Sequence, residues 1–164
     1  MPILHPFPPV ISEDSEILIL GSFPSVQSRN HNFYYAHPQN RFWKVLASVY
    51  GENVPESIPQ KKQLLAKHRI ALWDVIASCE ISGSADHSIR GAIPNPVGTL
   101  LAQYPIQRIF TNGSTAYRLY MKEVYPMTVC PARGLPSTSP ANAAYSLERL
   151  CIAWRDALLD SQGS

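Results

Sequence analysis

Cysteine, charge and long hydrophobic runs are all scarce in this sequence, and each shortage excludes a class of protein. The three cysteines, Cys79, Cys130 and Cys151, are odd in number and widely spaced, so the sequence predicts neither a disulfide framework nor a zinc site. We expect reduced thiols and a cytoplasmic location. No apolar stretch approaches the roughly 20 residues that a membrane span needs. The proline-rich first residues have neither the basic nor the apolar region of a secretory signal.

Charged residues make up only 16% of the sequence and leave a net charge of +2. This mild positive charge permits an acidic partner such as nucleic acid but does not indicate one. With 164 residues, 45% of them hydrophobic, the chain is long enough for one domain with its own core. We therefore predict a single domain over residues 1–164, in which 1–15 form a proline-rich N-terminal arm on the surface and 161–164 a flexible tail.

Short apolar runs alternate with helix signals along the chain. Ile17 to Leu20 form an apolar, partly β-branched run that Gly21 ends, which is typical of a buried strand stopping at a tight turn. Ser57, with a proline shortly after it, predicts the capped start of a helix. We predict strands at 16–21, 70–75, 106–111 and 127–130, and helices at 40–50, 57–68, 96–103, 114–123 and 143–159. Four strands joined by helical crossovers predict an α/β fold: a three-layer α/β/α sandwich around a central four-stranded parallel sheet.

The predicted topology brings several polar segments to one edge of the sheet. Right-handed crossovers place the carboxyl ends of parallel strands on the same side, where open α/β sheets bind ligands. The segments that follow the strands should therefore line one crevice: 21–25, 73–74, 111–113 and 133–142. Residues 77–96 have no apolar period and are predicted to be a long loop, which in a compact domain is usually functional or mobile.

Taken singly, the polar motifs have ordinary structural explanations. The turn at 21–25 lacks the Gly-Lys-Ser/Thr ending and the three glycines of phosphate-binding loops. Asn40 is explained as a helix N-cap. The aromatic triplet 33–35 could belong to the core, although three adjacent rings in a loop cannot all point inward, so one should face the crevice. The spacing of Asp74 and Asp86 does not support an acid–base pair. The residues alone predict a ligand crevice and no particular reaction.

Residues 135–142 (Leu-Pro-Ser-Thr-Ser-Pro-Ala-Asn) form a second polar turn. Its hydroxyls and backbone amides suit phosphate contacts, or alternatively the capping of the last helix. Together with Gly-Ser-Phe-Pro-Ser at 21–25 and Tyr-Ala-His-Pro-Gln-Asn-Arg-Phe-Trp at 35–43, this turn resembles the uracil-DNA glycosylase superfamily, and within it the hypoxanthine-DNA glycosylase branch. The resemblance extends from about Ile17 to Leu159. It implies a uracil-DNA glycosylase-like fold and an enzyme that removes deaminated bases from DNA.

Two positions depart from the usual pattern of that superfamily. Phe23 stands where many members have an Asp or Asn that positions or activates water, and Leu135 stands where several branches have a histidine that stabilises the departing base. The resemblance to the hypoxanthine branch implies that Asn40 is the catalytic residue instead, and that Tyr35 stacks on the flipped base. Within this mechanism we predict base binding by Gly21, Ser22, Phe23, Tyr35 and Asn112, and DNA contacts by Ser25, Arg41, Arg133, Ser137, Thr138, Ser139 and Asn142.

The predicted reaction is hydrolysis of the N-glycosidic bond of a deaminated base, hypoxanthine or alternatively uracil or xanthine, in a nucleotide flipped out of DNA. No lysine is placed for a Schiff base, so we expect a monofunctional enzyme without cofactor or metal. We expect a monomer that binds DNA, not a membrane, in the cytoplasm, and at the nucleoid if the source is prokaryotic. Two alternatives stay open: a non-catalytic nucleic-acid or nucleotide-binding module on the same fold, and a small-nucleoside hydrolase.

Overall fold

The computed structural model describes residues 3–80 and 90–160, which form two sheets and several helices. The strands are β1 (Ile3–Leu4), β2 (Ile17–Gly21), β3 (Ile70–Asp74), β4 (Ile76–Glu80), β5 (Arg90–Pro94), β6 (Arg108–Asn112) and β7 (Arg133–Leu135). The α-helices are α1 (Val26–His31), α2 (Phe42–Tyr50), α3 (Ile58–Lys67), α4 (Val97–Gln103), α5 (Ser114–Leu119), α6 (Tyr125–Thr128) and α7 (Leu147–Leu158), and a π-helical turn, Tyr120–Val124, joins α5 to α6.

The larger sheet is parallel, with its four strands in the order β3-β2-β6-β7. Every residue of β2 and β3 is buried, as expected where a parallel sheet is covered on both faces. Helix α2 packs against α7 and α4 packs against α6, so two groups of helices cover the sheet. The predicted α/β architecture with a central four-stranded parallel sheet is confirmed.

Local signals account for several helix ends. Gly51 ends α2 in a left-handed conformation, with φ of +66°, which glycine adopts without steric cost. The Ser57 hydroxyl accepts a hydrogen bond from the backbone N–H of Gln60 at the start of α3. Phe42 of α2 and Trp154 of α7 meet edge to face with ring centroids 5.8 Å apart, in the core beneath the sheet edge that carries the polar turns.

The N-terminal arm and the predicted loop at 77–96 form a second sheet instead. Strand β1 pairs antiparallel with β4, and β4 pairs antiparallel with β5. The prediction of a loop is therefore wrong for 77–80 and 90–94, while 81–89, including Asp86, lie outside the described residues. The arm does not simply lie on the surface, because Phe7 is buried in the core and Val10 bridges Leu72 of β3. Prolines are tolerated in such edge strands, which is why a proline-rich composition concealed this one.

The prediction of a fourth strand at 127–130 is also wrong, since the fourth strand is β7 at Arg133–Leu135. Met127 and Thr128 end a helical segment that begins at Ser114 and continues through the π-helical turn. The apolar run was misleading because Met127 and Val129 are exposed rather than buried.

The start of the last helix and the polar segment after Gly21 also differ from the prediction. Helix α7 starts at Leu147 rather than near 143. The Ser146 hydroxyl caps this start by accepting a hydrogen bond from the Arg149 N–H. The polar segment after Gly21 contains the short helix α1, capped by Ser25. None of the helices in the described part of the chain is both long and apolar enough to cross a membrane.

Candidate active site

A crevice of about 440 Å³ opens at the carboxyl edge of the parallel sheet, where the sequence placed it. It collects the ends of β2, β3 and β6 and the turn that follows β7. Its walls are formed by Gly21, Ser22, Phe23, Pro24, Ser25, Ser28, Tyr34, Tyr35, Asn40, Asp74, Asn112, Thr115, Ser137, Thr138, Ser139 and Ala141. The structure therefore brings together every residue predicted for catalysis or base binding, and four of the seven predicted for DNA contacts. Arg41, Arg133 and Asn142 do not line the crevice.

Asn40 lies on the crevice wall just before α2. Its side-chain Oδ1 accepts two hydrogen bonds, one from the backbone N–H of Phe42 at 2.9 Å and one from the Thr138 hydroxyl at 2.8 Å. The explanation of Asn40 as the N-cap of this helix is wrong, because Arg41 occupies that position. Asn40 lies one residue earlier and still accepts from the N–H of Phe42, the first residue of α2. The second bond ties Asn40 to a turn 98 residues further along the chain.

Thr138 and Asn112 form the next part of the same network. The Asn112 side chain accepts from the Thr138 backbone N–H and donates to the Thr138 hydroxyl, both at 3.0 Å. Thr138 is fully buried, with 0% of its surface exposed. The structure thus commits both side chains to bonds within the protein. The phosphate contact predicted for Thr138 and the base contact predicted for Asn112 stay predictions.

Arg41 holds the polar turn in place. Its guanidinium donates to the backbone carbonyls of Ser139, at 2.8 Å, Asn142, at 3.1 Å, and Tyr145, and its Nε–H donates to that of Thr138 at 3.4 Å. Arginine's planar fork of donors suits such a cluster of carbonyls. The structure therefore gives this side chain an organising role, and its predicted contact with DNA stays a prediction.

The remaining predicted DNA contacts fall into two groups. Ser25, Ser137 and Ser139 are half-buried residues on the crevice wall. The Asn142 Nδ2 donates to the Ser137 carbonyl at 3.0 Å, so this side chain stabilises the polar turn at 135–142. Arg133 is exposed at the beginning of β7 and does not line the crevice.

Tyr34 and Tyr35 are the members of the aromatic triplet that reach the crevice. Tyr35 has a left-handed backbone, with φ of +54°, and its ring stacks on Phe42 with centroids 4.2 Å apart. The Tyr34 hydroxyl donates to the Pro8 carbonyl at 3.0 Å. Burial, with a smaller contribution from the negative charge of Asp74, raises the pKa of Tyr34 far above its ordinary value, so this hydroxyl stays protonated.

Asp74, on the crevice wall, forms a buried pair with His5 that sequence reasoning missed. The His5 Nε2 lies 2.7 Å from the Asp74 Oδ2. The other carboxylate oxygen lies against Gly21, where a Cβ atom would come within 2.4 Å of it, so only glycine fits. The sequence contained one sign of this pair, because Asp74 is a charged residue at the end of an otherwise apolar strand. Its partner was not predictable, because His5 belongs to an arm taken to lie on the surface.

Among residues 3–80 and 90–160, no group of three or more His, Cys, Asp or Glu side chains could hold a metal ion. The network described above consists of amides, hydroxyls, aromatic rings and one carboxylate–histidine pair.

A comparison with known protein families found a match to the model of the uracil DNA glycosylase superfamily over residues 8–158. The chain belongs to this superfamily.

Relatives within the uracil DNA glycosylase superfamily agree with this assignment. A protein of Methanosarcina acetivorans named hypoxanthine DNA glycosylase is 37% identical over 147 residues, covering 87% of this chain and 90% of the relative. A Methanosarcina barkeri protein of the same name is 39% identical over 110 residues, or 65% of this chain and 69% of the relative. The solution NMR structure of a candidate uracil DNA glycosylase from M. acetivorans superimposes with a TM-score of 0.81 at 33% identity, covering 96% of this chain and 97% of that one.

The two departures from the superfamily pattern have clear positions in this member. Phe23 is a buried crevice residue whose ring lies 5.9 Å from the Arg29 guanidinium carbon. Leu135 is the buried last residue of β7. Neither side chain can accept a proton or donate a hydrogen bond. Any polar chemistry in the crevice of this uracil DNA glycosylase superfamily member must therefore come from other side chains or from the backbone.

Proposed function

We propose that the protein is a monofunctional DNA glycosylase that hydrolyses the N-glycosidic bond of deoxyinosine in DNA, releases hypoxanthine and so initiates base excision repair. The superfamily and the names of the two Methanosarcina relatives confirm the broader prediction of a DNA glycosylase for deaminated bases. The observation that carries the proposal is the crevice itself, in which Asn40, Tyr35 and the 21–25 turn meet at the carboxyl edge of the sheet.

The reaction requires the nucleotide to leave the base stack and enter this crevice. The bond between C1′ and the base then breaks through an oxocarbenium-like sugar. Asn40 is not a base, so it contributes through hydrogen bonds and not by removing a proton from water. This suffices when the bond breaks largely before water attacks, because the site then has to stabilise the departing base electrostatically.

The 21–25 turn and Tyr35 are the proposed base-binding elements. The turn is held rigidly, since the carbonyls of Gly21 and Ser22 accept from the N–H groups of Val75 and Ile76. We assign its backbone N–H groups to the base carbonyl, which hypoxanthine has and adenine lacks. Tyr35 packs one ring face on Phe42, and we assign the other face to the flipped base. Uracil and xanthine share the carbonyl beside an N–H and are the competing substrates to measure.

Ser25, Ser137 and Ser139 are assigned to phosphates beside the flipped nucleotide, and Arg133 to the flanking duplex. In this scheme the protein acts as a monomer and uses no cofactor. It works in the cytoplasm, at the nucleoid if the source is prokaryotic. The second polar turn, at 135–142, carries no large apolar wedge residue that could fill the gap left in the duplex by the flipped nucleotide. Extrusion should therefore be weak, and bases that are already poorly paired should be preferred because they cost less to flip.

The decisive experiment is a base-release assay on end-labelled oligonucleotides that carry deoxyinosine, deoxyuridine or deoxyxanthosine, in single-stranded, mismatched and matched form. We expect release from deoxyinosine to fall by about 100-fold or more in Asn40→Ala. Asn53→Ala, an exposed asparagine remote from the crevice, serves as the control and should act like the wild type.

Other results would contradict the proposal in distinguishable ways. DNA binding without base release from any substrate would establish a non-catalytic module. Cleavage of free deoxyinosine that is insensitive to salt would establish a nucleoside hydrolase, since DNA binding releases counterions and weakens steeply with salt. Equal rates on single-stranded, mismatched and matched substrates would contradict weak extrusion alone.

A further inference from the structure

We propose that Asn112 and Thr138 are positioning residues that fix the side-chain amide of Asn40, so that Asn40 takes part in the reaction only as a hydrogen-bond donor through Nδ2. Asn112, Thr138 and Asn40 are called the Asn40 hydrogen-bond chain below. This inference rests on the proposed function, and it gives Asn112 and Thr138 a role different from contact with the base or with phosphate.

The orientation of Asn112 follows from the backbone. The Thr138 N–H can only donate, so the Asn112 atom that it meets at 3.0 Å must be the oxygen, Oδ1. The amide nitrogen of Asn112 is then the atom that lies 3.0 Å from the Thr138 hydroxyl. An amide NH₂ cannot accept, so Asn112 donates to Thr138.

The orientation of Asn40 is fixed in the same way from its other side. The Phe42 N–H can only donate, so the Asn40 atom 2.9 Å from it is Oδ1. This oxygen is also 2.8 Å from the Thr138 hydroxyl. The hydroxyl oxygen already accepts from Asn112, and its single proton points to Asn40. Both amide orientations therefore follow from contacts with backbone N–H groups, which distinguish the amide oxygen from the amide nitrogen.

The bonds within the Asn40 hydrogen-bond chain leave the Nδ2 amide group of Asn40 to face the crevice. Two donors occupy Oδ1, and among the described residues nothing accepts a hydrogen bond from Nδ2. Turning the amide over would set NH₂ against the Phe42 N–H and leave the buried Thr138 hydroxyl without its acceptor. Because Thr138 is fully buried, water cannot replace that bond. Asn40 therefore presents donors to the bound nucleotide.

The direction of these bonds decides what Asn40 can do chemically. When the C1′–N9 bond breaks, its electron pair moves onto the purine, and a hydrogen-bond donor stabilises the negative charge that develops there. Water then bonds to C1′ through its oxygen, and one of its protons ends on the released base. An Asn40 held as a donor assists the first event and does not accept a proton in the second.

Thr138→Val and Thr138→Ser form the first test. Valine keeps the shape of threonine and removes the hydroxyl, whereas serine keeps the hydroxyl. We expect Thr138→Val to slow single-turnover release of hypoxanthine by 10- to 100-fold, with the dissociation constant for DNA changed less than about threefold. Thr138→Ser should stay within about threefold of the wild type. Equal rates for valine and serine, or a loss confined to DNA binding, would overturn the inference.

Asn112→Asp tests the Asn112 end of the Asn40 hydrogen-bond chain. It keeps the bond that the side chain accepts from the Thr138 backbone N–H. Aspartate keeps an oxygen for the Thr138 N–H but replaces the donor by an acceptor, which turns the Thr138 proton away from Asn40. We expect a loss of rate similar to that of Thr138→Val. The double variant should be no slower than the slower single variant, because both act through one proton. Multiplying effects, or a changed ratio of deoxyinosine to deoxyuridine cleavage in Asn112→Asp, would mean that Asn112 contacts the base and would overturn the inference.

Asn40→Asp separates a donor from an acceptor. Aspartate removes Nδ2 and could accept a proton from water, so we expect a loss as large as that of Asn40→Ala. An active Asn40→Asp enzyme would overturn the inference while leaving the proposed glycosylase intact. Absence of base release by the wild type would instead overturn the proposed function. Thermal melting of each variant identifies misfolding, and if Thr138→Val does not fold, the Asn112→Asp rate and substrate ratio decide the question alone.

Discussion

The His5 Nε2–H donates to the Asp74 carboxylate at 2.7 Å, although the two residues are 69 positions apart in the chain. Both side chains are only 5% exposed. The pair joins the N-terminal arm to the end of β3, where Asp74 lines the crevice beside Gly21 and Tyr35. The arm therefore holds one residue of the crevice wall in place, and we expect its loss to affect stability and activity together.

Replacing His5 should destabilise the protein strongly. In His5→Ala the Asp74 carboxylate remains buried without its partner, and breaking a buried pair in this way costs about 3 kcal/mol. Urea denaturation measures the free energy of unfolding. His31→Ala is the matched control, since His31 is exposed at the end of α1 and should change stability by less than about 0.5 kcal/mol. Equal losses in the two variants would mean that the His5–Asp74 pair contributes nothing.

Gly21 should tolerate no side chain. An added Cβ would approach the Asp74 Oδ1 to 2.4 Å and the Tyr35 hydroxyl to 3.1 Å, so Gly21→Ala must displace groups on the crevice wall. We expect base release to fall by at least about tenfold. Gly98→Ala is the control, because Gly98 lies in α4 and its added Cβ would make only an ordinary 3.5 Å contact with the side chain of Thr128 in α6. That variant should keep full activity and equal or slightly higher stability, since alanine favours helix.

Arg41 and Arg133 should differ in how their variants respond to salt. Arg133 is exposed, so a phosphate contact predicts that Arg133→Gln lowers the slope of log affinity against log salt by about 1. Arg41→Gln removes the charge together with the fork that binds carbonyls of the turn, so we expect an unchanged slope and about 1–3 kcal/mol less stability. Fluorescence anisotropy at several salt concentrations measures the slopes. A slope lowered by about 1 in Arg41→Gln would mean that Arg41 contacts a phosphate directly.

Tyr35 should matter for damaged DNA and not for DNA in general. If the ring face turned away from Phe42 stacks on the flipped base, Tyr35→Ala should weaken binding of a non-cleavable 2′-fluoro-deoxyinosine oligonucleotide by about 10- to 100-fold, from roughly 1–3 kcal/mol of stacking. Tyr35→Phe keeps the ring and should bind like the wild type. Affinity for undamaged duplex should be equal in all three proteins. If both variants lost affinity for every DNA, the fold around Phe42 would be the cause instead.

Much of the fold followed from local signals. The apolar strand ending at Gly21, the serine cap of α3 and the glycine at the end of α2 depend on residues close together in the sequence, and the structure contains all three. The errors arose where distant pairing overrides local character. The proline-rich arm became an edge strand because β4 was available as its partner, and the apolar run at Met127 remained helical and exposed.

The sequence by itself determined which segments meet at the crevice, because the alternation of strands and helices places every strand end on one edge. It also supplied Asn40, Tyr35 and the two polar turns that line that crevice. Only the tertiary structure decided which atoms of Asn40 and Asp74 are committed to bonds within the protein. The direction of the Asn40 amide depends on Thr138, 98 residues away, and the place of Asp74 depends on His5 in the arm. Hydrogen bonds and buried ion pairs require atoms within about 3 Å, and for distant residues only the packing of the whole chain brings them that close.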